Sequence, residues 1–342
     1  MSNIRDVAKL AGVSTATVSR VINHDTDGRM TEETKEKVWE AIAELNYKAP
    51  VKNIHKKSHS QSSASGKDSV FRIGCVISTE KDKYSDPYFL SILSSIEDHA
   101  RNNNFIIPFV VTSKELETSD SLDRFFDPPL DGIILMNTLS DKIFEYIQKN
   151  VPAIVGIDTG HEAIDNIRYD HFLASSMAVD SLYEKGYCKI GFVGSAPYES
   201  KLEDSKRFRG YLSAMYSHGL PVNKETYVNC HWQEEECHEF IQTLYKKKKL
   251  PEAFVVSSDL MAMAILRTLY DLHVRVPDEV AVMGISNIEM SKYSNPPLST
   301  VSIPTPEFGI LALDTLKQRI DGYNMLPRDI SLPLHIVVRS ST

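Results

Sequence analysis

The stretch Ile-Arg-Asp-Val-Ala-Lys-Leu-Ala-Gly-Val-Ser-Thr-Ala-Thr-Val-Ser-Arg-Val-Ile-Asn, residues 4–23, decides how the amino end of the chain folds. It reads as two short helices joined by a tight turn, the first over about Ile4 to Ala11. Gly12 suits the turn, because a residue without Cβ accepts backbone angles that a side chain resists. Ser14 suits the N-cap of the second helix, where its hydroxyl accepts a bond from an orphan amide of the first turn. Val18, Val21 and Ile22 follow at i, i+3 and i+4 and make one apolar stripe. The remaining face carries Thr15, Ala16, Thr17, Ser19 and Arg20, small and polar residues with one long cation. Such a face can approach base edges in the major groove of duplex DNA, which admits one helix. A plain helical hairpin with a polar outer side is the alternative. Further along, Thr31 can cap a third helix, with Glu32 and Glu33 near its positive end. Val38, Ile42 and Leu45 give that helix an apolar stripe, so that three helices can share one small core.

These segments resemble the lactose/galactose repressor family of bacterial transcription regulators. The motif Val-Ser-Thr-Ala-Thr-Val-Ser-Arg-Val-Ile-Asn (13–23) and the Leu-Asn-Tyr ending of the third helix (45–47) carry the resemblance, which extends over nearly all 342 residues. It looks closest to the branch that controls galactoside and galactose use. The resemblance implies a helix-turn-helix head over 1–47 in which Thr15, Ala16 and Arg20 read bases and Thr17 and Ser19 hold phosphates. Asn23, which closes the motif, joins the same DNA-contacting set. It also implies a double-stranded operator as partner, bound by a homodimer.

Residues 48–70 form the expected linker, basic over Lys48 to Lys57 and rich in serine over 59–69. In the resembled family a hinge helix here presses a leucine into the minor groove as an apolar wedge. At that register the chain has Lys56, and Ile54 is the nearest bulky apolar residue. Ile54 can substitute as the wedge, or the basic run can bind phosphates.

From residue 71 the rhythm changes to apolar strands alternating with helices. Strand-like runs fall at 71–78, 105–111, 132–136, 152–157, 189–194, 253–257 and 280–285, with helices near 88–103 and 171–186. That alternation predicts an α/β body of parallel sheets covered on both faces, and its length favours two lobes over one. The resemblance implies the two-lobed fold of periplasmic sugar-binding proteins for 71–342. The chain would cross between lobes near Tyr169, Val301 and Asp329. Lobe 1 would hold 71–168 and 303–328, and lobe 2 would hold 170–301 and 330–342, including a C-terminal strand at 334–338.

Ligands of open parallel sheets bind at the carboxyl ends of strands. Asp158, Ser257, Ser258, Asp259, Ser286 and Asn287 fall at such ends, and Arg207 lies just inside a helix that follows a strand. A sugar needs a bidentate fork and a carboxylate for its hydroxyls and an aromatic plate for its apolar face. Arg207, Asp158 and Trp232 offer these. The plain alternatives are helix caps for Ser257, Ser258 and Ser286, a surface ion pair for Arg207 and a core position for Trp232. By the resemblance, Asp158, Arg207 and Trp232 match positions that hold the effector in sugar-responsive members. Tyr88, Phe89 and Tyr169 match positions that line the same cleft. The chain departs from the family at Ser258-Asp259, where Asn-Asp is frequent, and at Ser286-Asn287, where a more acidic pair is frequent.

The net charge of −8 argues alone against nucleic acid, but its distribution does not. Residues 1–67 hold 11 Lys or Arg against 8 Asp or Glu, a basic head on an acidic body. The four cysteines imply no disulfide framework, and a cytoplasmic protein is expected. No signal peptide opens the chain, no apolar run reaches membrane-spanning length, and no leucine-heptad tail follows Thr342. Cys230-His231 and Cys237-His238 repeat a ligand pair at a spacing of seven. On one helix that is about 10 Å, too far for one zinc, so no metal is expected. No cofactor motif and no catalytic constellation stands out. The expected function is a repressor of a sugar-utilisation operon, released by galactose or a galactoside. The alternatives are a sugar-processing enzyme with a DNA-binding head, which lacks an obvious acid–base pair, and a catabolite-type regulator that takes a phosphorylated protein as co-regulator.

Overall fold

Three helices build the amino end: α1 (Ile4–Ala11), α2 (Thr15–Ile22) and α3 (Glu32–Glu44). The computed structural model describes residues 4–22, 31–45, 70–79, 82–118, 122–196 and 200–342. Val7, Ala8, Val18, Val21, Val38 and Ala41 form a buried core among the three helices, with Ile42 and Leu45 packed against it. Gly12 makes the turn at φ +67°, the left-handed region that glycine enters without penalty. Ser14 caps α2 by accepting from the Thr17 amide at 3.1 Å. Ahead of α3, the Thr31 hydroxyl bonds that of Thr34. Asn23, Ile54 and the linker over 48–69 lie outside the described residues, as do the side chains of Ala16, Ser19 and Ile22.

Contacts divide the chain into two units, residues 1–66 and 67–342. The larger one begins with β1 (Phe71–Ile77), α4 (Pro87–Asn102), β2 (Phe105–Thr112) and the short α5 (Ser113–Glu117). Next come β3 (Gly132–Met136), α6 (Asp141–Asn150), β4 (Ile154–Ile157) and β5 (Asp165–Tyr169). The chain continues through α7 (His171–Glu184), β6 (Ile190–Gly194), α8 (Lys206–Ser217), β7 (Tyr227–Asn229) and α9 (Glu234–Lys246). It then forms β8 (Ala253–Val256), α10 (Asp259–Asp271), β9 (Ala281–Ser286) and β10 (Ser299–Ser302), and ends with α11 (Thr305–Ile320), β11 (Asp329–Leu332) and β12 (His335–Val337). Among the described residues no helix is long and apolar enough to cross a membrane.

The strands form two six-stranded sheets, in the orders β11-β5-β4-β3-β1-β2 and β12-β10-β9-β8-β6-β7. Every pairing in the first is parallel. The second is parallel except for β12, which runs antiparallel to β10 along the edge. The central strands are buried on both faces, as parallel sheets flanked by helices require.

The chain passes between the sheets after Tyr169, after Ser302 and after Leu332. The last passage corrects the expected boundary at Asp329. Residues 330–332 pair with Ile167 to Tyr169 and complete the first sheet, not the second. The clamp that holds them there is Asp165, which is fully buried. Its carboxylate accepts from Arg319 Nε at 2.6 Å and from the Arg328 amide at 2.6 Å. Against the upward push of burial, these two arginines keep Asp165 below the usual carboxylate range.

In the second lobe α7 packs along α8 at very close range. A Cβ on Gly210 would collide with the Phe172 carbonyl, so only glycine permits this approach. The contact matters because Arg207, one turn earlier on α8, is thereby brought beside the first residue of α7.

Candidate functional site

The head offers the face read from the sequence. Thr15 and Arg20 are exposed on α2, while Val18 and Val21 on the opposite side are buried. The Thr17 hydroxyl lies 2.9 Å from that of Ser14. A short, cationic, hydroxyl-bearing helix supported by two others is the geometry of a major-groove reader.

The second candidate is the cleft between the two sheets. Asp158 follows β4 at φ +54°, its amide bonded to the Ile167 carbonyl at 3.0 Å. Its carboxylate Oδ1 lies 3.1 Å from His171 Nε2, at the start of α7. His171 was not singled out in the sequence. Burial, and then the neighbouring Arg207 charge, lower its imidazole below the ordinary histidine value, although Asp158 opposes them. A carboxylate only accepts, so at this contact Nε2 is the donor whether or not the ring is charged.

Arg207 Nη2 donates to the hydroxyl oxygen of Tyr169, a residue only 1% exposed at the end of β5. The Arg207 guanidinium carbon also lies 5.8 Å from the centre of the Tyr169 ring and 5.4 Å from that of Trp232. Burial pushes the Tyr169 phenol up to about 12. Tyr88 and Phe89 sit in the first turn of α4, where Asp86 caps the helix through the Tyr88 amide at 2.9 Å. Their rings meet edge to face at 5.3 Å. Burial, followed by the charge of Asp158, drives the Tyr88 phenol well above its ordinary value. Its hydroxyl is sealed from solvent and has no hydrogen-bond partner among the described residues, and the same holds for Arg207 Nε and Ser257 Oγ. Such groups are costly to leave unmade and suit an incoming ligand.

The structure thus brings Tyr88, Phe89, Asp158, Tyr169, Arg207 and Trp232 together, and adds His171. Ser258 and Ser286 are placed differently. Ser258 is the N-cap of α10 and accepts from the Met261 amide at 3.2 Å. The Ser286 hydroxyl turns onto the carbonyl of Ile285 in its own strand. Asn287 is engaged as well, by Ser302 at 3.0 Å and Arg339 at 2.7 Å. Asp259 is buried within the second lobe, where it accepts from Thr300 Oγ1 at 2.6 Å and the Ile288 amide at 3.0 Å. Burial pushes its carboxyl up to about 6.

The cysteine spacing also needs correction. Cys230 does not share a helix with Cys237, because the chain turns at His231 and Trp232 (φ +45° and +59°) before α9 begins. The two thiols meet, both fully buried. The hydrogen bond from Cys237 and then burial raise the Cys230 thiol far above its ordinary value.

A helix-turn-helix head together with a two-lobed body whose cleft gathers a cation, a carboxylate and aromatic rings defines a DNA-binding transcriptional regulator. Comparison with known proteins agrees. Residues 3–49 match the bacterial regulatory proteins of the lacI family, and residues 179–342 match the periplasmic binding protein-like domain. The repressor PurR of Actinobacillus pleuropneumoniae serotype 3 (strain JL03) is 31% identical, with 100% of this chain and 98% of that protein covered. The ribose operon repressor of Haemophilus influenzae is 27% identical, with 100% and 98% covered. The lac repressor dimer bound to operator and the anti-inducer ONPF superimposes with a TM-score of 0.70 at 21% identity, covering 99% of this chain and 98% of that one. The chain belongs to the LacI family of bacterial regulatory proteins and is a DNA-binding repressor.

Proposed function

We propose that this repressor controls a sugar-utilisation operon and leaves its operator when a small sugar, galactose or a galactoside, binds between the lobes. The observation that carries this reading is the set around Arg207: a guanidinium over Trp232, the Asp158 carboxylate opposite, and the sealed Tyr88 hydroxyl. A fork, an acceptor and aromatic plates are what a neutral polyol ring requires. The full-length relationship to a ribose operon repressor supports a sugar effector. The working unit is a cytoplasmic homodimer, whose two heads read a pseudo-palindromic operator through Thr15, Ala16, Thr17, Ser19, Arg20 and Asn23, with Ile54 as the minor-groove wedge.

Release requires that the sugar bind the two lobe arrangements with different affinity. A hundred-fold loss of operator affinity corresponds to about 2.8 kcal/mol of coupling, and operator must weaken sugar binding by the same factor. Operator binding by the pure protein, followed by fluorescence anisotropy while galactose or lactose is titrated, tests this. The expected result is dissociation with saturating sugar. Unchanged anisotropy with every saccharide would refute the sugar reading.

A further inference from the structure

Two of the three passages between the lobes leave the second lobe side by side. Ser302, the last residue of β10, pairs with Ser286 of β9 on one side and with His335 of β12 on the other. The chain departs for the first lobe directly after Ser302 and is back from it at His335. At the same place β9 ends in a bend, with Ser286 at φ +142° and Asn287 at φ +59°. Such angles are disfavoured for residues with a side chain and persist only where neighbours hold them.

Arg339, two residues beyond β12, supplies that hold. Its Nη2 donates to Asn287 Oδ1 at 2.7 Å, and its Nη1 to the Leu298 carbonyl at 2.6 Å and to Ser291 Oγ at 3.0 Å. Its amide donates to Ser299 Oγ at 2.8 Å, at the start of β10. Asn287 passes the restraint on, because its Nδ2 donates to Ser302 Oγ at 3.0 Å. The Ile303 amide, the first beyond β10, donates to the Ser286 carbonyl at 3.3 Å. These guanidinium bonds all go to neutral oxygens, so they depend on the planar fork and not on an ion pair. A side chain that is not among the ligand-facing residues described above thus ties the end of β9 and the roots of two passages into one unit.

We propose that Arg339 is a positioning residue for regulation: through Asn287 it fixes the second-lobe side of the pivot, and so sets how the molecules divide between lobe arrangements. Operator binding needs one arrangement, and apparent affinity scales with the fraction of molecules that hold it. Without the staple the two passages sample other lobe angles, and that fraction falls. No effector of particular chemistry is assumed. Only the coupling of lobe arrangement to operator affinity, proposed above, is used.

Hydrogen exchange and DNA binding on the full-length protein test this role. The DNA probe is the duplex that the native protein selects from a library of randomised inverted repeats. In Arg339→Met, peptides over 286–288 and 301–305 should exchange about ten-fold faster, while β6 and β8 keep their native rates. Affinity for the selected duplex should fall about five-fold, the competent arrangement dropping to about one fifth of its native share. Affinity for random duplex should stay within about two-fold, because the head is untouched. Arg339→Lys should behave like Arg339→Met, and adding Asn287→Asp to it should restore both readouts by putting an ion pair where the fork was. Asn287→Gly, which suits the bend but removes the acceptor, should add nothing to Arg339→Met in the double variant. Native operator affinity in a folded Arg339→Met protein, faster exchange spread evenly through the second lobe, or additive losses in the double variant would each overturn the role. Should Arg339→Met fail to fold, Arg339→Lys with and without Asn287→Asp decides on the same readouts. A native protein that selects no duplex would refute the reading of the head, and the exchange rates would still decide for or against Arg339.

Discussion

Asp158 and His171 meet across the passage between the lobes, the carboxylate Oδ1 3.1 Å from the imidazole Nε2. One residue follows β4 of the first lobe and the other opens α7 of the second. With the bond from Arg207 to Tyr169, this contact means that the two charged groups best suited to a sugar already bond within the protein. A ligand must exchange bond for bond at these two groups. Its net gain comes from the sealed Tyr88 hydroxyl and Arg207 Nε, which have no partner among the described residues to give up.

The His171 contact carries a pH signature. Its imidazole is lowered from the ordinary value of 6.5, chiefly by burial and by Arg207. Between that value and the lower folded one the unfolded chain binds more protons, so stability falls as pH drops through this window. Thermal melts from pH 7.5 down to pH 5 should show a steeper loss for the native protein than for His171→Gln. Parallel curves would remove His171 from this account.

Arg20→Ala should weaken binding to the specific operator by about 1–3 kcal/mol, the worth of a good base contact. Binding to random duplex should change much less. Equal losses on both, measured by anisotropy at one fixed salt concentration, would mean that Arg20 touches only the backbone.

Arg207→Ala should abolish the response to sugar and leave operator affinity unchanged. It also strips the buried Tyr169 hydroxyl of its donor, so the melting free energy should drop by about 1–3 kcal/mol. Arg207→Lys should not restore the response, because an ammonium lacks the planar fork that reaches Tyr169 and stacks on Trp232. Recovery of induction by lysine would contradict this role.

Asp165→Ala should destabilise the first lobe by about 3 kcal/mol, since it leaves Arg319 and Arg328 without their buried counter-charge. Hydrogen exchange should report the damage first in β11 and β5. Uniform exchange across both sheets would argue that the clamp is not local.

Much of this architecture was legible in the sequence where periodicity is strong. Runs such as Gly132–Met136 and Ile190–Gly194 announce buried parallel strands, and the 4–23 motif announces the head. Edge strands were harder to read. In β11, Asp-Ile-Ser-Leu offers only two apolar side chains, and an ion pair of Arg168 with Asp329 at 2.6 Å helps to set its place. His171 was missed because a histidine that opens a helix carries no local mark, and its partner Asp158 is thirteen residues away. Ser258 sits where a ligand contact and a helix cap share one pattern, and the cap is what the backbone chose. The meeting of Cys230 with Cys237 depends on two non-glycine residues at positive φ, a bend that side-chain composition does not encode.

The third passage of the chain, after Leu332, has a consequence for biogenesis. The amino-terminal lobe lacks its outer strand until residues 329–332 emerge from the ribosome, long after β1 has been made. Neither half can therefore mature during translation ahead of the other, and a nascent chain stalled before Asp329 exposes an unpaired β5 edge to its neighbours.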